Sequence, residues 1–374
     1  MKIAIIGTTA RSLIGFRSEM IKTLAAYGHT IYAFSLDYNE KYKNEIRNMG
    51  AIPVDYKFSR TGMNPIKDMY YTYLLYRKLK EIKLNVSLSY FSKPAIFGTI
   101  AAYFAGVNKR VAMLEGLGYA FTEQPGGVEI KTKILKMLQV LLYKISFVKA
   151  DKLIVLNNDD KKELLKLKCI HLNKIEVLGG IGLDLDKYKQ SPPPLTPVSF
   201  IFIGRLLKEK GIREFISAAK EIKRKYPDVE FNVLGDIDPE NPGSITSDEL
   251  HGLLSNNIIT YPGYVENVAD WIAKSSVFVL PSYREGFPRS TQEAMAIGRP
   301  IITTDVPGCR DTVINGVNGY LVERWSSKAL ISSMDKFIKN NELITSMGNA
   351  SYYLACKQFD AKVINDKIIK ILFS

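Results

Sequence analysis

Cysteine and histidine are scarce in this chain of 374 residues, with three of each. Cys169, Cys309 and Cys356 are far apart and odd in number, so they make no disulfide framework, and a reducing cytoplasm is the simpler setting. His29, His171 and His251 stand alone, which argues against a histidine metal cluster. Long apolar runs are also missing. The opening MKIAIIGTTARS has too short and too interrupted an apolar stretch for a signal peptide and reads as a first strand. PAIFGTIAAYFAGVN, 94–108, falls short of the roughly 18 to 20 residues a membrane span needs. GTTARS after the first strand lacks the G-x-G-x-x-G fingerprint, which disfavours a dinucleotide dehydrogenase. No Ser-His-Asp or Cys-His set, short-period repeat or low-complexity tract is evident.

What is present is enough apolar material for two cores. The chain is 46% hydrophobic, and its length predicts two domains of roughly 150 to 200 residues. Charge is distributed unevenly. Residues 1–190 hold 30 Lys+Arg against 17 Asp+Glu, a net +13, whereas residues 191–374 hold 21 of each. A one-sided basic surface suits nucleic acid, an anionic membrane or a phosphorylated acceptor; solvated lysines without a partner are the plain alternative.

Apolar runs recur with helical stretches between them. The first half offers 2–7, 30–36, 85–90, 110–116, 152–157 and 174–180; the second offers 198–204, 229–235, 257–264, 277–282, 300–305 and 319–323. QSPPPLTP, 190–197, is the best linker between them. Strands alternating with helices on both sides of that joint predict two doubly wound α/β domains, with ligands at the carboxyl ends of the strands and a cleft between facing domains.

Chemistry-bearing groups gather at the strand ends of the second half. SYREGFPRSTQEAMAIGRPIITTD, 282–305, reads as strand, tight turn and helix, with Pro288 at the first helical position and Gly298 at the helix end. The helix N-terminus is an anion site, so Glu285 on its corner requires a neutral or cationic partner. Polyol hydroxyls fit such a carboxylate. FIGRLLKEKG puts Arg205 and Lys210 at another strand end, a pair suited to a diphosphate or simply solvated. Tyr264 in YPGYVENV could hold a flat base. Asp236-Ile-Asp238 mimics a metal-binding Asp-x-Asp but reads better as solvated turn residues.

Together, G-R-x5-K-G at 204–211, E-G-F-P-x4-E-A-M-A-x-G-R-P at 285–300, D-V-P-G-C-R-D-T-V at 305–313 and N-G-x-N-G-Y at 315–320 resemble family 4 of the retaining glycosyltransferases. The resemblance covers 198 to about 358 well. FSRTGMNP (58–65), MLEGLGYAF (113–121) and 141–160 are more loosely similar to the branch that extends undecaprenyl-diphosphate-linked sugars, the α-1,3-N-acetylgalactosaminyltransferases of bacterial N-glycan and O-antigen assembly. The resemblance implies the GT-B fold: α/β, with two doubly wound Rossmann-like domains facing across a cleft. Residues 1–190 would bind the acceptor, 191–355 the nucleotide sugar, and 356–374 would form a helix packing back on the first domain.

It also implies roles. Arg205 and Lys210 would bind the diphosphate of a UDP-sugar, and Glu285 the sugar hydroxyls beside Gly286, Phe287 and Pro288. Glu293 would hold the ribose. The backbone of Arg289, Ser290 and Thr291 would meet phosphate, and Tyr264 and Val265 the base. Such an enzyme is thought to need no protein nucleophile, metal or other cofactor, the UDP-sugar being a substrate. Its expected donor is UDP-N-acetylgalactosamine or a related hexosamine. Its expected setting is the inner face of the cytoplasmic membrane, with no nucleic-acid partner. A UDP-sugar epimerase on the same fold, or a sugar-nucleotide sensor, is the competing reading.

The acceptor half is less explicit. Arg11 and Arg17 in the loop after the first strand, and Ser59 and Arg60 after another strand-like stretch, would line the cleft. Glu115 is placed either to orient an acceptor hydroxyl or to bind turn backbone. Residues 131–149 predict an amphipathic helix with Lys133, Lys136 and Lys144 near one stripe and Ile134, Leu138, Leu141, Leu142 and Ile145 on an apolar face. It is either core-packed with a solvated lysine edge or lies with that edge against anionic headgroups or the lipid diphosphate.

Overall fold

The computed structural model describes residues 1–59, 64–238, 241 and 243–374. The first of two compact units comprises residues 1–121, 129–182 and 361–374; the second comprises 122–128 and 183–360. Strands β1 (Lys2–Ile6), β2 (Thr30–Ser35), β3 (Ala51–Asp55), β4 (Val86–Tyr90), β5 (Lys109–Leu114), β6 (Lys152–Val155) and β7 (Ile175–Val177) form the first sheet, in the order 3-2-1-4-5-6-7. Strands β8 (Ser199–Ile203), β9 (Glu230–Leu234), β10 (Thr260–Gly263), β11 (Val277–Leu280), β12 (Ile301–Thr304) and β13 (Gly319–Val322) form the second, in the order 10-9-8-11-12-13. Every pairing is parallel. Central strands such as VFVL are buried on both faces, as helix-covered parallel strands must be.

Both orders reverse direction beside the first strand of the unit. In each sheet that reversal splays neighbouring loops at the carboxyl edge and opens a ligand crevice. One strand lay outside the expected runs. AIPVD carries Pro53, which removes a ladder donor, and β3 tolerates it because it is an edge strand paired only with β2.

From β3 to β7 the first sheet is traversed in one direction, so right-handed crossovers place the intervening helices on one face. Pro65–Ile82 packs on Thr99–Phe104, which packs on Ile130–Phe147. The last of these is turned opposite to expectation. Ile134, Met137, Leu138, Leu141 and Ile145 are exposed, while Tyr143, Ser146 and Phe147 are buried. Aromatic packing explains the rotation: Tyr143 stacks on Phe147 and Phe121, and Lys136 bends inward over the Phe121 ring to Glu163. The helix is neither core-packed through its aliphatic face nor edged by three solvated lysines.

The helix Ala361–Phe373 belongs to the first unit, against Ser18–Ala26 and β5. The chain crosses to the second unit between Gly182 and Leu183, ahead of the proline-rich stretch. That stretch is fastened within the second unit by Arg299, a fully buried cation. Its guanidinium donates to the Ser191 carbonyl (2.7 Å), the Ser191 hydroxyl (2.9 Å) and the carbonyls of Ile272 (3.0 Å), Ala273 (2.7 Å) and Ile297 (3.0 Å). Burial lowers its pKa to about 10, and the carbonyl cage replaces the lost hydration. Arg299→Lys should leave several of these carbonyls unpaired and reduce stability by about 3 kcal/mol in urea unfolding; an unchanged midpoint would remove the fastening role.

Candidate active site

The Glu285 corner is built by close backbone approaches at the carboxyl ends of β8 and β11. Lys210 ends a short 3-10 turn, Lys208–Lys210, and Gly211 follows at φ 76°. A Cβ at Gly211 would lie 2.1 Å from the Pro281 carbonyl oxygen, so only glycine lets the Lys210 turn approach β11. Gly308, at φ 78°, closes the other side: its Cβ would lie 2.3 Å from the Glu285 carbonyl oxygen. The Glu285 N–H donates to the Pro307 carbonyl.

These approaches bring Lys210 and Glu285 together. Lys210 Nζ donates to Glu285 Oε1 at 2.5 Å, and the Ser282 hydroxyl donates to the same oxygen at 2.7 Å. Of the neutral or cationic partners expected for this corner, the structure supplies both: the Lys210 ammonium and the Ser282 hydroxyl. Ser282 carried no distinguishing sequence signal beyond standing three residues before Glu285.

The following helix, Arg289–Ile297, begins one residue later than expected. Pro288 is its N-cap, with extended backbone and no capping side chain, so the first N–H groups depend on another acceptor. Ser290 turns inward to donate to the Ile203 carbonyl, and the Thr291 side chain is wholly buried, so these residues offer an anion their backbone rather than their hydroxyls. The helix ends at Gly298 in the left-handed conformation. Phe287 packs edge-to-face on Phe359 beneath the corner.

Glu293 lies one turn into that helix, 7% exposed. Arg289 Nε donates to its Oε1 at 2.8 Å, and the Tyr188 hydroxyl donates to the same atom at 2.7 Å. Burial raises the Tyr188 pKa above the usual phenol value and the neighbouring Glu293 charge adds to it, so Tyr188 stays a protonated donor. Sequence reasoning missed Tyr188, 105 positions away in LDLDKYKQ, where no local pattern marks it. Among the described residues, Oε2 of both Glu285 and Glu293 takes no hydrogen bond. Each carboxylate is therefore fixed through one oxygen.

Arg205 is apart from this cluster, with its side chain 60% exposed and turned toward Asp238 at 3.4 Å. Such a surface pair is weak and easily exchanged for a phosphate. Tyr264 and Val265 follow the edge strand β10, with Tyr264 exposed and Val265 half-buried. Among the described residues, no three His, Cys, Asp or Glu side chains are grouped to hold a metal ion. Cys309, close enough to Glu285 to sense its charge, is pushed up to about 12 by burial first and that charge second; it remains a neutral thiol rather than a nucleophile.

In the first unit, Arg17 is wholly buried and pairs with Glu115 across the carboxyl ends of β1 and β5. Its guanidinium also stacks 4.8 Å from the Tyr90 ring centroid. Arg11 turns to the Tyr42 hydroxyl at 2.8 Å. Ser59 joins a buried Asp68–Lys93 pair that the sequence did not signal, and Arg60 lies outside the described residues.

Residues 185–353 match the family model described as glycosyl transferases group 1. It is 27% identical, over 99% of its length and 98% of the relative's, to the N,N'-diacetylbacillosaminyl-diphospho-undecaprenol alpha-1,3-N-acetylgalactosaminyltransferase of Campylobacter jejuni. It is 29% identical to the UDP-Gal:alpha-D-GlcNAc-diphosphoundecaprenol alpha-1,3-galactosyltransferase of Escherichia coli, covering 80% of this chain and 76% of that one. Its fold matches Anabaena HepE, solved with UDP and glucose, with a TM-score of 0.77 at 17% identity over 100% of this chain and 99% of that one. The chain is thus a glycosyltransferase of GT-B architecture.

Tyr188→Phe should raise the KM for the sugar nucleotide about three- to tenfold and leave kcat within about twofold, because the hydrogen bond orients Glu293 in ground and transition states alike. A kcat loss at constant KM would contradict this. Glu115→Ala leaves the Arg17 cation buried without its counter-ion and should cost about 3–5 kcal/mol of stability. Lost transfer at unchanged stability would instead assign Glu115 to substrate.

Proposed function

We propose that this glycosyltransferase moves N-acetylgalactosamine, with retention, from UDP to an undecaprenyl-diphosphate-linked sugar during surface glycan assembly. The observation that carries the reading is the near full-length similarity to the Campylobacter jejuni enzyme, together with two glutamates each held through one oxygen around a helix start. Glu293 accepts ribose hydroxyls through Oε2, and Glu285 accepts hydroxyls of the hexose. The diphosphate lies on the N–H groups from Arg289 to Thr291, with Lys210 beside it and Arg205 exchanging Asp238 for a phosphate oxygen.

In the reaction the bond from the sugar's anomeric carbon to the diphosphate oxygen breaks, and a bond to the acceptor hydroxyl oxygen forms on the same face. The acceptor proton passes to the departing phosphate. The protein's task is to stabilise charge growing on that phosphate, and preorganised donors of this kind are worth about 100- to 1,000-fold each. Tyr264 and Val265 flank the base. Arg11, Arg17 and Glu115 shape the acceptor side, the last two as a buried pair that fixes the loop after β1. The enzyme works at the inner face of the cytoplasmic membrane, where its acceptor resides. Among the described residues no helix is long and apolar enough to cross a membrane.

The test is transfer of radiolabelled sugar from a panel of UDP-sugars to undecaprenyl-diphosphate acceptors ending in GlcNAc, GalNAc or diacetylbacillosamine. EDTA is present throughout, and Glu293→Gln is the control. Product from UDP-N-acetylgalactosamine that vanishes in the control is expected. Product only from UDP-galactose would overturn the donor, and no transfer despite UDP binding would overturn the acceptor.

A further inference from the structure

The outward face of the helix Ile130–Phe147 is apolar where a solvent face should be polar. Ile134, Met137, Leu138, Leu141, Ile145 and Val148 recur at steps of three and four residues, so they form one stripe about 21 Å long. Each is between 42% and 64% exposed. The helix contains no Asp or Glu and four lysines, of which Lys131, Lys133 and Lys144 are exposed beside the stripe.

A cavity of about 470 Å³ lies at its C-terminal end, between Lys144, Phe147 and Val148 of this helix and the segment 165–174. Lys144, Lys168 and Lys174 line it, with Leu172, itself 65% exposed, at its rim. Lys174 Nζ is tied to the Ala150 carbonyl, whereas Lys144 and Lys168 make no ion pair among the described residues. An apolar stripe, flanking lysines and a basic cavity with apolar rim residues match one kind of partner. A water-soluble anion would account for the lysines but not the stripe. A second copy of the chain would bury the stripe but would set these lysines against one another unless an acidic patch opposed them.

We propose that this face is a membrane-docking surface. The Ile134–Val148 stripe enters the acyl boundary, and the cavity between Lys144, Lys168 and Lys174 takes the phosphate of an anionic phospholipid headgroup. The lipid is a component of the bilayer, not the sugar acceptor. The cavity opens toward the amino ends of β6 and β7, whereas substrates gather at carboxyl ends. Docking along the stripe therefore anchors the first unit away from its reactive edge. The inference uses the proposed lipid-linked acceptor only as the reason a membrane is near.

The experiment is co-flotation of the full chain with vesicles of phosphatidylcholine alone or mixed with phosphatidylglycerol; neither contains prenyl lipid. The chain should bind the mixed vesicles at least tenfold more tightly. Leu138→Glu with Leu141→Glu should abolish binding while leaving circular dichroism and transfer to a short-chain, water-soluble acceptor unchanged. That transfer assay reads the proposed function separately. Lys144→Gln with Lys168→Gln should weaken binding about 25-fold, at about fivefold per lysine. The control pair Lys41→Gln with Lys367→Gln, elsewhere on the unit, should change it by less than twofold. Three results would overturn the proposal: no vesicle binding by the wild-type chain, full binding by the glutamate variant, or equal losses in the two lysine pairs. A wild-type dimer in light scattering that the glutamate variant dissociates would assign the stripe to a second copy.

Discussion

The contact between Lys210 and Glu285 is the constraint around which the second unit is organised. A carboxylate only 11% exposed is costly without a cation, and here the cation comes from a different strand end. Gly211 lets the Lys210 turn lie against Pro281, and Gly308 lets the 305–308 turn lie against Glu285. The strand order 8-11-12 makes those turns neighbours. In the proposed reaction the pair couples two tasks: the lysine that neutralises Glu285 also stands beside the diphosphate. Both Lys210 and Ser282 bond the same oxygen of Glu285.

The same economy recurs one helical turn away. Arg289 and Tyr188 both bond Oε1 of Glu293, so its orientation is set before any ligand arrives. In the first unit the buried pairs behave differently. Arg17 with Glu115, and Lys93 with Asp68, are wrapped by ring faces and hydroxyls at the carboxyl edge of that sheet. Charge buried at such cost is poor evidence for stability and better evidence for a fixed loop geometry.

How legible was this in the sequence? Twelve of the strands stand in apolar runs because central parallel strands are buried on both faces, and β3 escaped because its proline is permitted only at an edge. Glu285, Glu293 and Lys210 were visible because each sits a fixed few residues from a strand end or helix start, and local spacing encodes that. Their partners were not. Tyr188 reaches Glu293, and Lys210 reaches Glu285, across distances set by sheet order rather than by spacing. Arg205 illustrates the converse: its position was legible but its direction was not, since a long exposed side chain takes whichever anion is nearest.

The helix Ile130–Phe147 carries the sharpest lesson, because its periodicity was read correctly and its rotation was not. Amphipathicity tells which residues share a face, never which solvent the face meets. Here the buried side is chosen by ring packing, with Tyr143 stacked between Phe121 and Phe147 and the Lys136 ammonium 4.5 Å from the Phe121 ring centroid. Once those rings are inside, geometry forces Leu138 and Leu141 outward. A leucine stripe in water loses the burial that would otherwise favour it, about 25 cal/mol for each Å² left wet. The membrane docking proposed for this face returns that stripe to an apolar surrounding. The +13 charge excess of residues 1–190 points the same way, since anionic interfaces attract lysines while their acyl layer accepts leucine.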